Sequence, residues 1–408
     1  MVVAAVVAEV AVVLLRPRDG VIEPAPVQVQ SYFSPSEIER ARDFRRPQLA
    51  LLGGALAVEL GLLAVLVARP PRRLRGPFRR PLLAAAATGA TLSVAVATVA
   101  LPFNVVAHQR ARDVGLVTQS WGGYAGDQAK SWTIGAIIAG AGAAAALALI
   151  RRFPRRWWVP GSVVVVAFGA ITIYAGPVVL DPLFNTFTAL KGRSRADVLD
   201  LARRAGVDVG QVYEVDASRR TTAANAYVTG LGHTKRVVLY DTLLEHFTRD
   251  ETRLVVAHEL GHVRYSDVSR GLLFVVIVTP FGMLAAALLT RRLAPDGTGA
   301  RPGPAILPAL ALSLAITSAL VTIASNQLSR RVEVRADSFA LGLAHEPDAF
   351  ISFERRIAVR NLADPDPPGW LTFLLGTHPP TIERIGVGEA YKRGARSPTL
   401  RASVRPGD

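Results

Sequence analysis

The 408-residue sequence predicts a mainly α-helical, polytopic membrane bundle of about seven spans joined to a smaller α+β domain. Three observations lead there. Half of the residues are hydrophobic, and the mean hydropathy is positive. Seven stretches are long or apolar enough to approach the roughly 20 residues that a helix needs to cross a bilayer. Between the fifth and the sixth, the pattern changes to short mixed elements over 181–269.

Taken in order, the first stretch, 1–16, is short and carries Glu9. It lacks the basic leader and small-residue cleavage site of a secretory signal, so it reads as a retained helix. Spans at 47–69, 81–107, 132–150 and 157–180 complete an N-terminal membrane domain, 1–180. The segment 181–269 then holds an amphipathic helix at 195–205 and strands at 211–215 and 237–240. A helix from about 249 to 265 follows, because Thr248 and Glu251 have the spacing of a capping box ahead of the apolar run Leu254-Val255-Val256-Ala257. Spans six and seven, at 270–291 and 304–326, make up a unit 270–326. Region 327–385 continues as a helix through about Ala344 and then as Pro-rich turns; 386–408 is basic, Gly/Pro-punctuated and reads as a flexible tail.

The net charge of +15 could suggest nucleic acid, but much of it lies in short clusters flanking apolar stretches. Arg69, Arg72, Arg73, Arg75, Arg79 and Arg80 form one cluster, and Arg151, Arg152, Arg155 and Arg156 another. Membrane lipids are the expected partners and nucleic acid is not. The chain has no Cys, which excludes disulfides and thiolate ligands and leaves His and carboxylates as metal donors. There is no internal repeat and no Gly-rich phosphate motif.

The chemistry concentrates in His258-Glu259-Leu260-Gly261-His262. On a helix, residues four apart share a face, so His258 and His262 can offer imidazole nitrogen to one Zn²⁺ while Glu259 reaches a water beside it. The bland alternative is two histidines on a buried helix face; the capped helical context argues for the hydrolytic site. The α+β domain is therefore expected to be of the zincin type, with one zinc per chain. Catalytic zinc commonly takes a third protein ligand, and parity restricts the search. Spans six and seven return everything after Asn326 to the side of the membrane that holds His258, and there Glu333 and Asp337 sit i, i+4 on one helical face. Glu333 is the expected third ligand, and Asp337 the acceptor for the other ring N–H of a bound histidine. By itself 329–337 could be a solvated face of arginines and acids. With His262 eight residues before Arg270 and Glu333 seven after Asn326, continuous helices would put the metal roughly 10 to 12 Å from the apolar boundary.

These residues resemble the type I CAAX prenyl proteases, integral-membrane gluzincins. The likeness rests on His258-Glu259-Leu260-Gly261-His262 followed by two spans and Ser329-Arg330-Arg331-Val332-Glu333-Val334-Arg335-Ala336-Asp337. It extends to 32–38, 181–185, 216–220, Asn225-Ala226-Tyr227, 235–244 and Thr377-His378-Pro379-Pro380 with Arg384. The resemblance implies His258, His262 and Glu333 as zinc ligands and Glu259 as base and proton shuttle. It further implies that Asn225 and its neighbouring strand hold substrate backbone, and that His378 and Arg384 lie beside the cleft, Arg384 in a substrate-binding role. Read from the residues, Asn225 suits an extended peptide at a strand edge. His378 could either stabilise an oxyanion or simply end a helix before two prolines, and Arg384 reads as a structural ion-pair partner. His108, His233, His246 and His345 lack partners at ligand spacing and read as surface or loop residues.

The expected activity is that of a zinc metalloendopeptidase acting on membrane-associated peptides or proteins, lipid-modified ones included. General clearance of membrane proteins is an alternative. A seven-span transporter or an inactive scaffold with structural zinc is an alternative of another class, which Glu59 within a span would suit. The resemblance implies a cell-membrane protein with a cytoplasmic catalytic face; arginines near span ends on both sides leave the charge rule undecided.

Overall fold

The computed structural model describes residues 1–74, 78–230, 235–294 and 302–395. The N-terminal half is helical: α1 (Val2–Leu15), α2 (Pro35–Ala68), α3 (Pro81–Asp113), α4 (Trp121–Arg152) and α5 (Trp158–Val179). Ser34 and Glu37 close a capping box at the start of α2, with Pro35 in the first turn, where its missing N–H costs nothing. The small domain follows as β1 (Phe187–Ala189), α6 (Gly192–Arg204), β2 (Gln211–Val215), β3 (Ala226–Thr229), β4 (Arg236–Tyr240), α7 (Asp241–His246) and α8 (Arg249–Arg264). Two long helices, α9 (Asp267–Leu293) and α10 (Leu307–Ala344), come next, then α11 (Pro347–Arg360), α12 (Gly369–Leu375) and α13 (Thr381–Ala395).

Six helices among the described residues are long and apolar enough to cross a membrane: α2, α3, α4, α5, α9 and α10 with its leading turn. Large apolar side chains such as Ile137, Val163 and Ile171 point outward from them, as a hydrocarbon solvent requires.

The expected first span is the exception. α1 has 14 residues, about 21 Å of helix against a hydrocarbon thickness of about 30 Å. Ala8, Ala11 and Val12 pack on Phe274, Val278, Ala324 and Leu328. Met1, just ahead of α1, reaches Thr317, about a quarter of the way along α10, while the Leu15 carbonyl accepts from Arg270 at 2.7 Å. Without this crossing the parity holds: loops 17–34, 114–120 and 180–266 still share one face with the region after α10.

The sheet order is β1-β2-β4-β3, with β2 and β4 parallel and the outer strands antiparallel to their neighbours. β3 is therefore an edge strand. Beneath the sheet, Leu201, Val237, Leu239, Val256, Leu260, Ala340 and Phe353 join α6, α8, α10 and α11 in one core. The capping box of Thr248 and Glu251 forms as expected.

Three expectations on elements are corrected. α8 does not run on into the sixth span: the chain turns at Ser266, which is left-handed at φ 53°, and α9 starts afresh at Asp267. α10 is continuous for 38 residues from membrane to site. The Pro-rich turns after Ala344 hold three further helices, Pro347 standing in the first turn of α11. Helix α13 carries the chain through the expected start of the tail, and 396–408 lie outside the described residues.

Candidate metal centre

α8 and α10 cross closely because Gly261 has no side chain. A Cβ there would stand 3.3 Å from the Ala336 Cα and 3.2 Å from Phe339, so the helices could not approach as they do with a larger residue. This approach brings Glu333 of α10 against the exposed face of the His258-Glu259-Leu260-Gly261-His262 turn. His258 Nε2 lies 3.2 Å from Glu333 Oε2, and His262 Nε2 3.6 Å from Glu333 Oε1. The two Nε2 atoms are 3.2 Å apart.

The far side of each ring is held separately. His258 Nδ1 is 2.8 Å from Asp337 Oδ1, and His262 Nδ1 is 3.1 Å from Asp267 Oδ2. Each ring thus has Nδ1 engaged by a carboxylate and its Nε2 turned toward the other ring and toward Glu333, the atom left to act as a ligand. The buried Glu333 Oε2 has no hydrogen-bond partner. Three acceptors facing one another, one of them orphaned, form a nest for a cation, and the ligand atoms of His258, His262 and Glu333 fall within 4.8 Å of one another. Two nitrogens and a carboxylate oxygen fit a divalent transition ion.

Each supporting carboxylate has its own cation. Arg384 reaches Asp337 through Nε at 2.8 Å and Nη2 at 2.5 Å, and its Nη1 stands 3.0 Å from Glu354. Burial pushes the Glu354 carboxyl up to about 7, against the pull of Arg384. Arg335 hydrogen-bonds Asp267 and stacks 4.1 Å over the Tyr265 ring. Asp337 sits beside His258 Nδ1, the position in which sequence reasoning expected it to act, whereas Asp267, Arg335 and Glu354 were missed. Asp267 stands only five residues after His262, but the turn at Ser266 aims it, and no periodicity signals that turn.

Glu259, one step round α8 from His258, accepts from the Val228 backbone N–H at 3.1 Å. Burial raises its carboxyl above the ordinary range, with the neighbouring histidines opposing. Val228 belongs to β3, whose register leaves the polar groups of Ala226 and Val228 on the free edge. Asn225 is exposed immediately before this strand rather than on it, its Oδ1 accepting from Ala226 N at 2.9 Å. His378 lies beside the cluster, Nε2 3.4 Å from Glu333 Oε2, with Thr377 Oγ1 2.9 Å from Nδ1. Burial lowers its pKa, which favours the neutral ring. Arg384 departs from the substrate-binding expectation: its guanidinium is committed to Asp337 and Glu354, behind the ligands. His108 is neither surface nor loop, since it sits on α3 with its ring 4.1 Å from Tyr124 and 5.0 Å from Trp121. His246 and His345 are exposed, as expected of surface residues, at the ends of α7 and α10, and His233 lies outside the described residues.

The fold and the site define a class: a multi-pass membrane metallopeptidase whose metal cluster stands at the end of a spanning helix. Residues 189–390 match the model of peptidase family M48, and 25–186 match that of the CAAX prenyl protease N-terminal region, described as five membrane helices. The chain belongs to peptidase family M48. It is 33% identical to the metalloprotease YhfN of Bacillus subtilis over 300 residues, 72% of this chain and 70% of that one. It is 32% identical to the CAAX prenyl protease 1 homolog of Oryza sativa over 228 residues, 54% of this chain and 52% of the relative. To CAAX prenyl protease 1 of Saccharomyces cerevisiae it is 36% identical over 152 residues, so the match spans only 33% of that relative's length. The crystal structure of S. mikatae Ste24p shares the fold, with a TM-score of 0.75, 21% identity and 95% of each chain covered.

Proposed function

We propose that this metallopeptidase is a zinc endopeptidase that cuts extended peptides at the membrane surface, with lipid-modified polypeptides among its substrates. The observation that carries the zinc reading is the orphaned Glu333 Oε2 facing two imidazoles whose Nδ1 atoms are both engaged by carboxylates. Two histidines four apart on one helix, a carboxylate as third ligand and Glu259 beside them form the donor set of catalytic zinc, which favours zinc held by His258, His262 and Glu333. When bound, zinc supplies an acidified water and a Lewis acid for the scissile carbonyl.

The chain's own groups perform the rest. A substrate strand pairs with the free edge of β3 through the Ala226 and Val228 carbonyls, since their N–H groups are taken by Asn225 and Glu259, and the Asn225 side-chain NH2 holds the next residue. Glu259 takes the proton of the attacking water, which its raised pKa equips it to keep until the scissile C–N bond begins to break. It then delivers that proton to the leaving nitrogen. The exposed His378 edge is placed to stabilise negative charge on the carbonyl oxygen. Asp337 and Asp267 keep the two imidazoles in the tautomer that ligates.

Membrane-associated substrates are supported by the position of Glu333, whose helix is one of the six long and apolar enough to cross a membrane. The homologues named for prenyl proteolysis add the lipid group to this reading. Purified, zinc-loaded full-length protein incubated with farnesylated and unmodified versions of one peptide, with products identified by mass spectrometry, tests both parts. Cleavage of the farnesylated peptide alone supports a prenyl-directed role, and equal cleavage of both supports general clearance of membrane proteins. No cleavage of either, with zinc bound, overturns the proposal.

A further inference from the structure

On the face opposite the metal centre, a cavity of about 570 Å³ opens between the start of α3 and the end of α4. α3 and α4 are joined on the site side, where Thr118 donates to the Arg220 carbonyl at 3.1 Å, so their other ends lie across the membrane. The two helices touch through small residues: Gly89 lies so close to Ala139 and Ala143 that a Cβ would stand 2.5 Å from each, and Gly140 lies against Ala86. Leu82 and Leu83 are about 10 Å further along α3 from that contact, at 1.5 Å per residue. There the cavity opens between the start of α3 and the end of α4, beside the arginine clusters that flank the apolar spans.

Its lining divides by chemistry. Pro81, Leu82, Leu83 and Ala148 form an apolar floor, and Arg80, Arg151 and Arg152 form the rim, with no acid among the lining residues. Arg151 donates to the Pro302 carbonyl at 3.2 Å, and neither Arg80 nor Arg152 has a carboxylate partner among the described residues. Of the three loops on this face, 69–80 and 151–158 contain arginines and no Asp or Glu, and 294–303 contains one acid, Asp296, in its sequence. A guanidinium fork matches phosphate oxygens two at a time, whereas the apolar floor has no use for a free phosphate.

We propose that this cavity binds one anionic phospholipid, phosphate against Arg80, Arg151 and Arg152 and acyl chain along Leu82, Leu83 and Ala148. The site is independent of the peptidase reading, since no residue of the metal centre takes part.

The test uses full-length protein in nanodiscs of equal parts phosphatidylglycerol and phosphatidylcholine, released into native mass spectrometry. The wild type should retain one phosphatidylglycerol in preference to phosphatidylcholine. Replacing both free arginines (R80Q with R152Q) should weaken that retention roughly thirtyfold, taking the usual contribution of each arginine near an anionic surface, while bound zinc is unchanged and reports an intact fold. Retention of both lipids alike by the wild type, or an undiminished phosphatidylglycerol adduct in the double variant, overturns the proposal. So does displacement of the lipid by millimolar inorganic phosphate, which would make this a free-phosphate site.

Discussion

Glu259 and the two imidazoles divide the work of the site at single-atom resolution: Nε2 faces the metal position, Nδ1 faces a carboxylate, and Glu259 faces the substrate strand. Glu259→Gln keeps the hydrogen-bonding shape toward Val228 but removes the basic oxygen. Metal content should stay stoichiometric while kcat falls by about 10² to 10⁴. Undiminished cleavage by metal-replete Gln variant would remove Glu259 from the mechanism. The carboxylates behind the ligands act through them, so Asp267→Asn should lower zinc affinity by about 10- to 100-fold, read by chelator competition, without loss of helix content. Full affinity in that variant would mean that His262 is oriented by some other group. At this scale the sequence was most legible where the chemistry is local. His258, Glu259 and His262 share one helical turn, so spacing alone specified their relation. Glu333 and Asp337 needed one further step, the parity of two spans. Arg384, Glu354 and Asp267 meet their partners only through tertiary packing, and no spacing rule could have paired Arg384 with Asp337 across 47 residues.

Among the elements, long apolar helices and the capped catalytic helix were readable because periodicity and capping act within a single segment. β1 and β3 were not: three and four residues give too little alternation, and each is a strand only because β2 and β4 offer it a ladder. α11 to α13 were hidden by the prolines that start or separate them, although α11 packs Phe350 and Phe353 into the catalytic core on one face. One contact joins this hidden helix to α8. Glu251 caps α8, accepts from Ser352 at 3.0 Å and is bridged by Arg356. Burial pushes its carboxyl upward, yet the Thr248 N–H, Arg356 and Ser352 outweigh it and hold it below the ordinary range. A folded pKa below the unfolded one stabilises above the unfolded value, about 4.3, and the gain disappears as pH falls through the folded value. Glu251→Gln should therefore cost about 1 to 3 kcal/mol at pH 7, and the gap to wild type should narrow below about pH 4. Thermal unfolding of the two proteins across pH 3 to 7 measures it. A gap that stays constant would assign the loss to packing or to a neutral hydrogen bond instead of the charge.

For the whole molecule, the number of crossings decides which groups can share a face. Six spans place both the loop before α2 and the region after α10 on the side of the metal cluster, and α2 is tied there by Arg42 to Asp364 at 3.1 Å and by Arg45 to the Leu362 carbonyl at 2.9 Å. α1, expected as a crossing, is apolar but at 14 residues is shorter than the six long helices. It fills a groove against α9 and α10, with Glu9 accepting from Gln327 at 2.7 Å near the site side. The cysteine-free chain makes this distinction measurable, since each introduced thiol is the only one present. In sealed vesicles, Asp364→Cys and Arg155→Cys should be labelled by a membrane-impermeant maleimide from opposite sides, whichever way the protein is inserted. Val2→Cys should resist the reagent from both sides, because its neighbour Met1 packs on Thr317 within the apolar part of α10. Labelling of Val2→Cys together with Arg155→Cys would mean that α1 completes a seventh crossing, and the packing of its first turn against Thr317 would have to be abandoned.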